Sequence, residues 1–152
     1  MENLSRMDNN ISSKLFPVSW DQFHRDSKAL AWRLADKADW SAIIAVTRGG
    51  LVPSAIVARE LNVRIIETIC VTSYNPDHKK GDIEVLKRIS DNLLSDPKFK
   101  PDTILCIDDL VDTGSTMAVV QDMIPGAHIA TVYAKPEGLS NVDTFVTEVS
   151  QD

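Results

Sequence analysis

The chain is short of nearly every feature that would place it in a simple functional class. Its 152 residues include two cysteines, Cys70 and Cys106. Each sits inside an apolar run (IIETICV and ILCI), so both read as reduced core residues, not as a disulfide framework. The three histidines, His24, His78 and His128, are scattered and match no zinc-ligand spacing. No apolar run approaches the ~18 residues of a membrane span, so no transmembrane segment is expected. The polar start, MENLSRMDNNISSKLF, lacks the apolar core of a secretory signal. Basic residues are outnumbered, 16 against 22 acidic, for a net charge of −6. That sign argues against a bulk nucleic-acid binder, while a local basic patch stays open. Neither GxxxxGK[ST] nor GxGxxG occurs, which excludes a Walker A loop and a dinucleotide fingerprint. The cytosol is the expected compartment.

What is present is ordinary globular material, 43% apolar and 25% charged, at a length that suits one compact core. Residues 1 to about 16 show no periodicity and read as a loose extension, leaving 17–152 as a single domain. SWDQ at 19–22 resembles a capping box, with Ser19 as N-cap and Gln22 reaching back. Phe23, Leu30, Ala31 and Leu34 follow at helical spacing. Trp40 is expected to pack on the core. AIIAV at 42–46 is a short unbroken apolar run, as a strand buried on both faces should be. LVPSAIVARELN predicts a helix with Pro53 tolerated in its first turn. RIIETICVTSY, ILCI, IATVYA and VDTFVTEV read as further strands, and STMAVVQDMI as a helix. This alternation predicts an α/β fold, a mainly parallel twisted sheet of about five strands flanked by helices. The charged segment at 75–102 is expected to open as an exposed loop, either a lid or plain solvated surface. Its middle, IEVLKRISDNLL, can form a helix.

ILCIDDLVDTGST at 104–116 carries the chemistry. In an open parallel sheet, ligands bind beyond the carboxyl ends of the strands. Asp108 and Asp109 fall at such an end and can hold Mg²⁺ or accept from a sugar diol. The following VDTGST, leading into a helix, presents backbone N–H groups and hydroxyls to an anion. Together these suit a sugar phosphate. Ordinary helix capping by Asp112 is the bland alternative. A phosphorylation receiver domain would also show an Asp pair and a later Lys-Pro. The short interval from Asp108 to Lys135 leaves no room for its central strand.

This motif resembles the 5-phosphoribosyl-1-pyrophosphate (PRPP) motif of type I phosphoribosyltransferases. VTRGGLVP, TSYN and YAKPEG occur in the order and spacing of the xanthine-guanine members, over roughly residues 18–152. The resemblance implies transfer of phosphoribose from PRPP to N9 of a 6-oxopurine (guanine, xanthine or hypoxanthine), with release of pyrophosphate and a requirement for Mg²⁺. It implies that Asp108 and Asp109 face the ribose and the metal, Asp109 being the direct ligand. Leu110, Val111, Asp112, Thr113, Gly114, Ser115 and Thr116 would complete the PRPP contacts, the last five wrapping the 5′-phosphate. Ser115 stands where the family often has glycine, a change expected to be tolerated. Arg48 and Gly49 would hold the pyrophosphate, with a non-proline cis peptide joining Thr47 and Arg48. Asp112 and Arg48 would be catalytic. Asp112 would bond purine N7, with proton handling a further role open to it, and Lys135 would donate to O6. Lys80, with Lys79 close behind, would be the lid cation.

A homo-oligomer, dimer or tetramer, is also implied. Association with the inner face of a membrane has been proposed for such enzymes, though no segment here shows it. The family continues past a segment like VSQD with a tail that packs on the base, whereas this chain stops at Asp152. Truncation, a cover supplied by a partner and impaired base binding all remain open. So does a regulatory protein that binds PRPP or nucleotides without transfer.

Overall fold

The computed structural model describes residues 16–73 and 83–151. Helix α1 (Trp20–Leu34) leads into strand β1 (Ala42–Thr47), helix α2 (Leu51–Leu61) and strand β2 (Ile66–Ser73). Strand β3 (Ile83–Lys87), short helix α3 (Asp91–Ser95) and strand β4 (Ile104–Val111) follow. Helix α4 (Ser115–Met123) and strands β5 (His128–Ala134) and β6 (Thr144–Glu148) complete the chain. The sheet has six strands in the order β3-β2-β1-β4-β5-β6, all parallel except the β2–β3 pair.

Half of the expected capping box forms. The Ser19 hydroxyl accepts from the Gln22 amide at 3.1 Å. The Gln22 side chain turns to Asp26 and Arg25 instead of reaching back. Leu30, Ala31 and Leu34 are buried as the helical spacing predicts. Trp40 also packs inward, its indole N–H donating to the Leu34 carbonyl at 2.8 Å.

The segment IEVLKRISDNLL departs from the helix expected for it. Its first five residues are strand β3, which pairs with the otherwise free edge of β2. Helix begins only at Asp91, where the Ser90 hydroxyl caps Leu93 N–H at 3.4 Å. This adds the sixth strand. A short apolar alternation fits either period, and the unpaired backbone of β2 decides it.

The alternation along the strands splits the core between the two faces. Ile44, Val46, Cys106 and Val111 pack with Met117 and Val120 of α4. Ile43, Leu105 and Ile107 pack with Leu30 and Leu34 of α1 and Val57 of α2. Both cysteines are free thiols, Cys106 fully buried and Cys70 partly so. No helix among the described residues is long and apolar enough to cross a membrane.

Candidate functional site

The chain leaves β1 for β2 on one side and returns to β4 on the other, so β1 and β4 flank the switch point of the sheet. That is where an open α/β sheet presents a crevice. Strands β1 and β4 pair from Ala42–Ile104 to Ala45–Ile107 and no further. Strand β4 nevertheless runs on to Val111 beside β5. Asp108 and Asp109 therefore lie within the last turns of the strand, not after it. One edge there is open and faces the turn that follows β1.

That turn is VTRGG. The Thr47–Arg48 peptide is cis, as the resemblance implies. Thr47 donates its hydroxyl to the Ile69 carbonyl at 2.9 Å, and Gly50 N–H donates to Val46 at 2.8 Å. Glycine is required twice for close approach. A side-chain carbon on Gly49 would lie 2.7 Å from Cγ of Asp109 and 2.8 Å from Oδ1 of Asp108. One on Gly50 would press on the carbonyls of Ile107 and Val46, the latter at 2.7 Å. Arg48 is exposed and directly precedes Gly49, the residue packed on the acidic pair.

Burial pushes the Asp108 carboxyl up to about 9, helped by its hydrogen bond with Asp109 and that neighbour's charge. The Asp109 N–H donates to Asp108 Oδ1 at 2.8 Å and works in the opposite direction. A cation at this position would favour the charged form of Asp108. No third carboxylate, histidine or cysteine joins them into a metal-binding cluster among the described residues. Such a donor pair fits Mg²⁺, which keeps water and substrate phosphate in its shell and rarely sits in an all-protein cage.

Two helices start at this crevice. Helix α2 is capped by Gly50 and α4 by Gly114, neither with a side-chain cap nor an acidic residue in its first turn. Helices α1 and α3 are built the opposite way, with serine caps and Asp21 or Asp91 in the first turn. Uncapped N–H groups with no carboxylate in the helix's own first turn suit an anion. The Gly114 cap is left-handed, φ 88°, and a side chain there would meet Asn141 Cγ at 3.0 Å. Asp112 is thus not the cap of α4. Ser115 and Thr113 share a hydroxyl contact at 3.1 Å, consistent with serine being accommodated.

A cavity of about 280 Å³ follows the motif, lined by Asp108, by Leu110 through Met117, and by Ser73 and Ile83. Thr113, Gly114, Ser115 and Thr116 are all in its wall. Val111 contributes chiefly main chain: it is buried, and its carbonyl accepts from Lys135 N–H at 2.9 Å. Lys135 follows β5 directly, and its ammonium lies 3.5 Å from Asp112 Oδ2. Lys79 and Lys80, the expected lid cations, lie outside the described residues, as does Tyr74.

The structure adds residues to which the sequence reading assigns no role. The Gln151 amide donates to Asp112 Oδ1 at 2.8 Å, while its own oxygen accepts from Glu137 N–H at 3.1 Å. The glycine of YAKPEG, Gly138, is a further close-approach position: a side chain would meet Val111 Cγ2 at 2.6 Å and the Asp112 carbonyl at 2.8 Å. Asn141 packs over Gly114. Only the glycine carried a signal in the sequence. Asn141 and Gln151 reach the site through folding.

The phosphoribosyl transferase domain model matches residues 19–152. Among solved structures, the chain is similar to a purine phosphoribosyltransferase from Pyrococcus horikoshii, 28% identical with a TM-score of 0.71, covering 87% of this chain and 85% of that one. It shares its fold with the Helicobacter pylori xanthine-guanine-hypoxanthine phosphoribosyltransferase, 22% identical, TM-score 0.69, covering 86% and 85%. A Bacillus anthracis hypoxanthine-guanine phosphoribosyltransferase is likewise 22% identical, TM-score 0.70, covering 90% and 84%. With the motif at the switch point of the sheet and the family model spanning nearly the whole chain, the protein belongs to the phosphoribosyl transferase domain family and has its type I fold.

Proposed function

We propose that this protein is a purine phosphoribosyltransferase, moving 5-phosphoribose from PRPP to N9 of a 6-oxopurine and releasing pyrophosphate. The observation that carries the reading is the packing of Gly49 against Asp108 and Asp109. It sets the acidic pair beside Arg48 on one side and the anion cradle of α4 on the other.

The roles follow from the chemistry of each group. The 5′-phosphate takes the N–H groups and hydroxyls of residues 112–116 at the start of α4. The diphosphate takes the Arg48 guanidinium and the start of α2, both cationic in character. Asp108 and Asp109 accept from the ribose hydroxyls and stand near the positive charge that develops on the ring as the leaving bond breaks. Asp109 with Asp108 would hold magnesium, which when bound would supply charge neutralisation for the departing diphosphate. Lys135 donates to the purine O6, and Asp112 orients the ring through N7. An amino group in place of O6 would set two donors face to face, which disfavours aminopurines.

Pyrophosphate release measured with PRPP, Mg²⁺ and each of guanine, xanthine and hypoxanthine tests the proposal. Release with at least one 6-oxopurine, and none with adenine, is expected. Tight PRPP binding with no release from any of them would establish the second reading, a PRPP-binding regulatory protein. That reading is favoured by two contacts, from Gln151 and Lys135, which occupy both carboxylate oxygens of Asp112.

A further inference from the structure

The chain that brings Gln151 to the site is held in place up to two residues before it. Strand β6 keeps its register with β5 as far as Ala134–Glu148. Val149 is buried and donates its N–H to the Ala134 carbonyl at 2.9 Å. From there the Gln151 side chain spans the gap between the Glu137 main chain and the Asp112 carboxylate. Resting on the function proposed above, we infer that Gln151 is a positioning residue of the transfer. It holds one oxygen of Asp112 so that the other faces the base when Lys135 turns to the purine.

Neighbouring groups dictate which way the Gln151 amide points. The Glu137 N–H can only donate, so it takes the amide oxygen, at 3.1 Å. The amide nitrogen is left facing Asp112 Oδ1, at 2.8 Å. A flipped amide would set two donors face to face at Glu137 and two acceptors at Asp112. Both ends of this bridge also belong to one packed corner. Gly138 N–H donates to the Lys135 carbonyl at 3.0 Å, and a side-chain carbon on Gly138 would lie 2.8 Å from the Asp112 carbonyl. The turn that orients Gln151 and the residue that Gln151 holds therefore move together.

Asp112 gains from such an anchor. Its side chain is 49% exposed, and its contact with the Lys135 ammonium is long, 3.5 Å. An ammonium drawn to a purine oxygen loosens that contact. Gln151 gives nothing to the ligand and keeps its grip. The carboxylate is then divided, with Oδ1 on the protein and Oδ2 accepting from the ring N–H at N7. A carboxylate fixed beforehand spares the base the cost of ordering it.

The test sets Gln151→Glu against Gln151→Ala in the full chain, with pyrophosphate release measured at varied PRPP and 6-oxopurine. The introduced glutamate has nearly the same size and can still accept from Glu137 N–H, but it turns an acceptor toward Asp112. It should lower kcat about tenfold or more, against about fivefold for alanine, with the KM for PRPP unchanged. Its deficit should shrink as pH falls from about 8 to about 5.5, because a protonated carboxyl again offers Asp112 a donor. In an Asp112→Asn background the gap between the two substitutions should close. Mere space filling produces none of these three results, and matching melting temperatures check that both variants fold. Equal kcat in the two variants, or a kcat above wild type in either, would overturn the assignment and leave the transferase reading intact. A wild type that releases no pyrophosphate with any 6-oxopurine would overturn both.

Discussion

A side-chain carbon built on Gly49 would lie 2.7 Å from the carboxyl carbon of Asp109. The turn after β1 and the acidic strand end are therefore one unit, packed too closely for a side chain unless the carboxylates move. Gly50 is equally crowded, but against main-chain carbonyls. The two substitutions should then fail differently. Gly49→Ala meets movable carboxylates, so it should weaken Mg²⁺-dependent PRPP binding at least about tenfold while costing under roughly 1 kcal/mol of stability. Gly50→Ala meets rigid backbone and should cost about 2–3 kcal/mol or more. Calorimetric PRPP titration and urea unfolding of both variants check this. Equal stability loss would show that the carboxylates cannot yield.

Asp112 stands between Gln151 and Lys135, each holding one of its oxygens. Asp112→Asn should lower kcat by about a hundredfold, the scale expected when a purine is no longer held in its reactive orientation. Gln151→Ala removes one hydrogen bond from the carboxylate and should lower kcat roughly fivefold, the worth of about 1 kcal/mol. PRPP affinity should be unaffected by the latter. Steady-state kinetics with both substrates varied would decide. A Gln151→Ala enzyme with wild-type kcat would reduce that contact to space filling.

His128 lies at the opposite end of β5, its Nε2 at 2.8 Å from the Thr144 hydroxyl and its ring 5.3 Å from Trp40. Burial lowers its pKa below the ordinary 6.5, with Lys37 adding to the effect and Asp143 opposing it. The unfolded chain therefore binds a proton at a pH where the folded chain does not. Stability must rise with pH through this window and be lost as pH falls below 6.5. Melting temperatures between pH 7.5 and about 5 should drop, and drop less in His128→Gln. An identical pH slope in the variant would assign the loss to other groups.

The linear order of residues carried most of the parallel sheet. Buried strands such as AIIAV and ILCI are unbroken apolar runs, and helices between them have their own period, so both signals are local. The chemistry of ILCIDDLVDTGST was legible for the same reason: a carboxylate pair, a glycine and hydroxyls within one strand-to-helix turn need no distant partner to declare an anion site. The roles expected of Lys135 and Arg48 came from the resemblance alone, since a lysine before proline or an arginine in a glycine turn is by itself an ordinary strand-end residue.

Three things were settled only by folding. IEVLK became a strand because β2 had an unpaired edge, a property of the sheet and not of those five residues. Asp112 could have been a cap or a ligand-facing group. Its partners Lys135 and Gln151 lie 23 and 39 residues away, and only the closed fold brings them to it. Phe16, in a stretch with no periodicity, reaches Tyr133 because α1 packs across β5 and β6 and delivers the segment before it to the rim of the sheet. Sequence by itself determined which groups could bind a phosphorylated sugar, since hydrogen-bonding capacity and charge belong to the residue. Tertiary structure decided which of them share a cavity, because proximity between distant positions is set by packing.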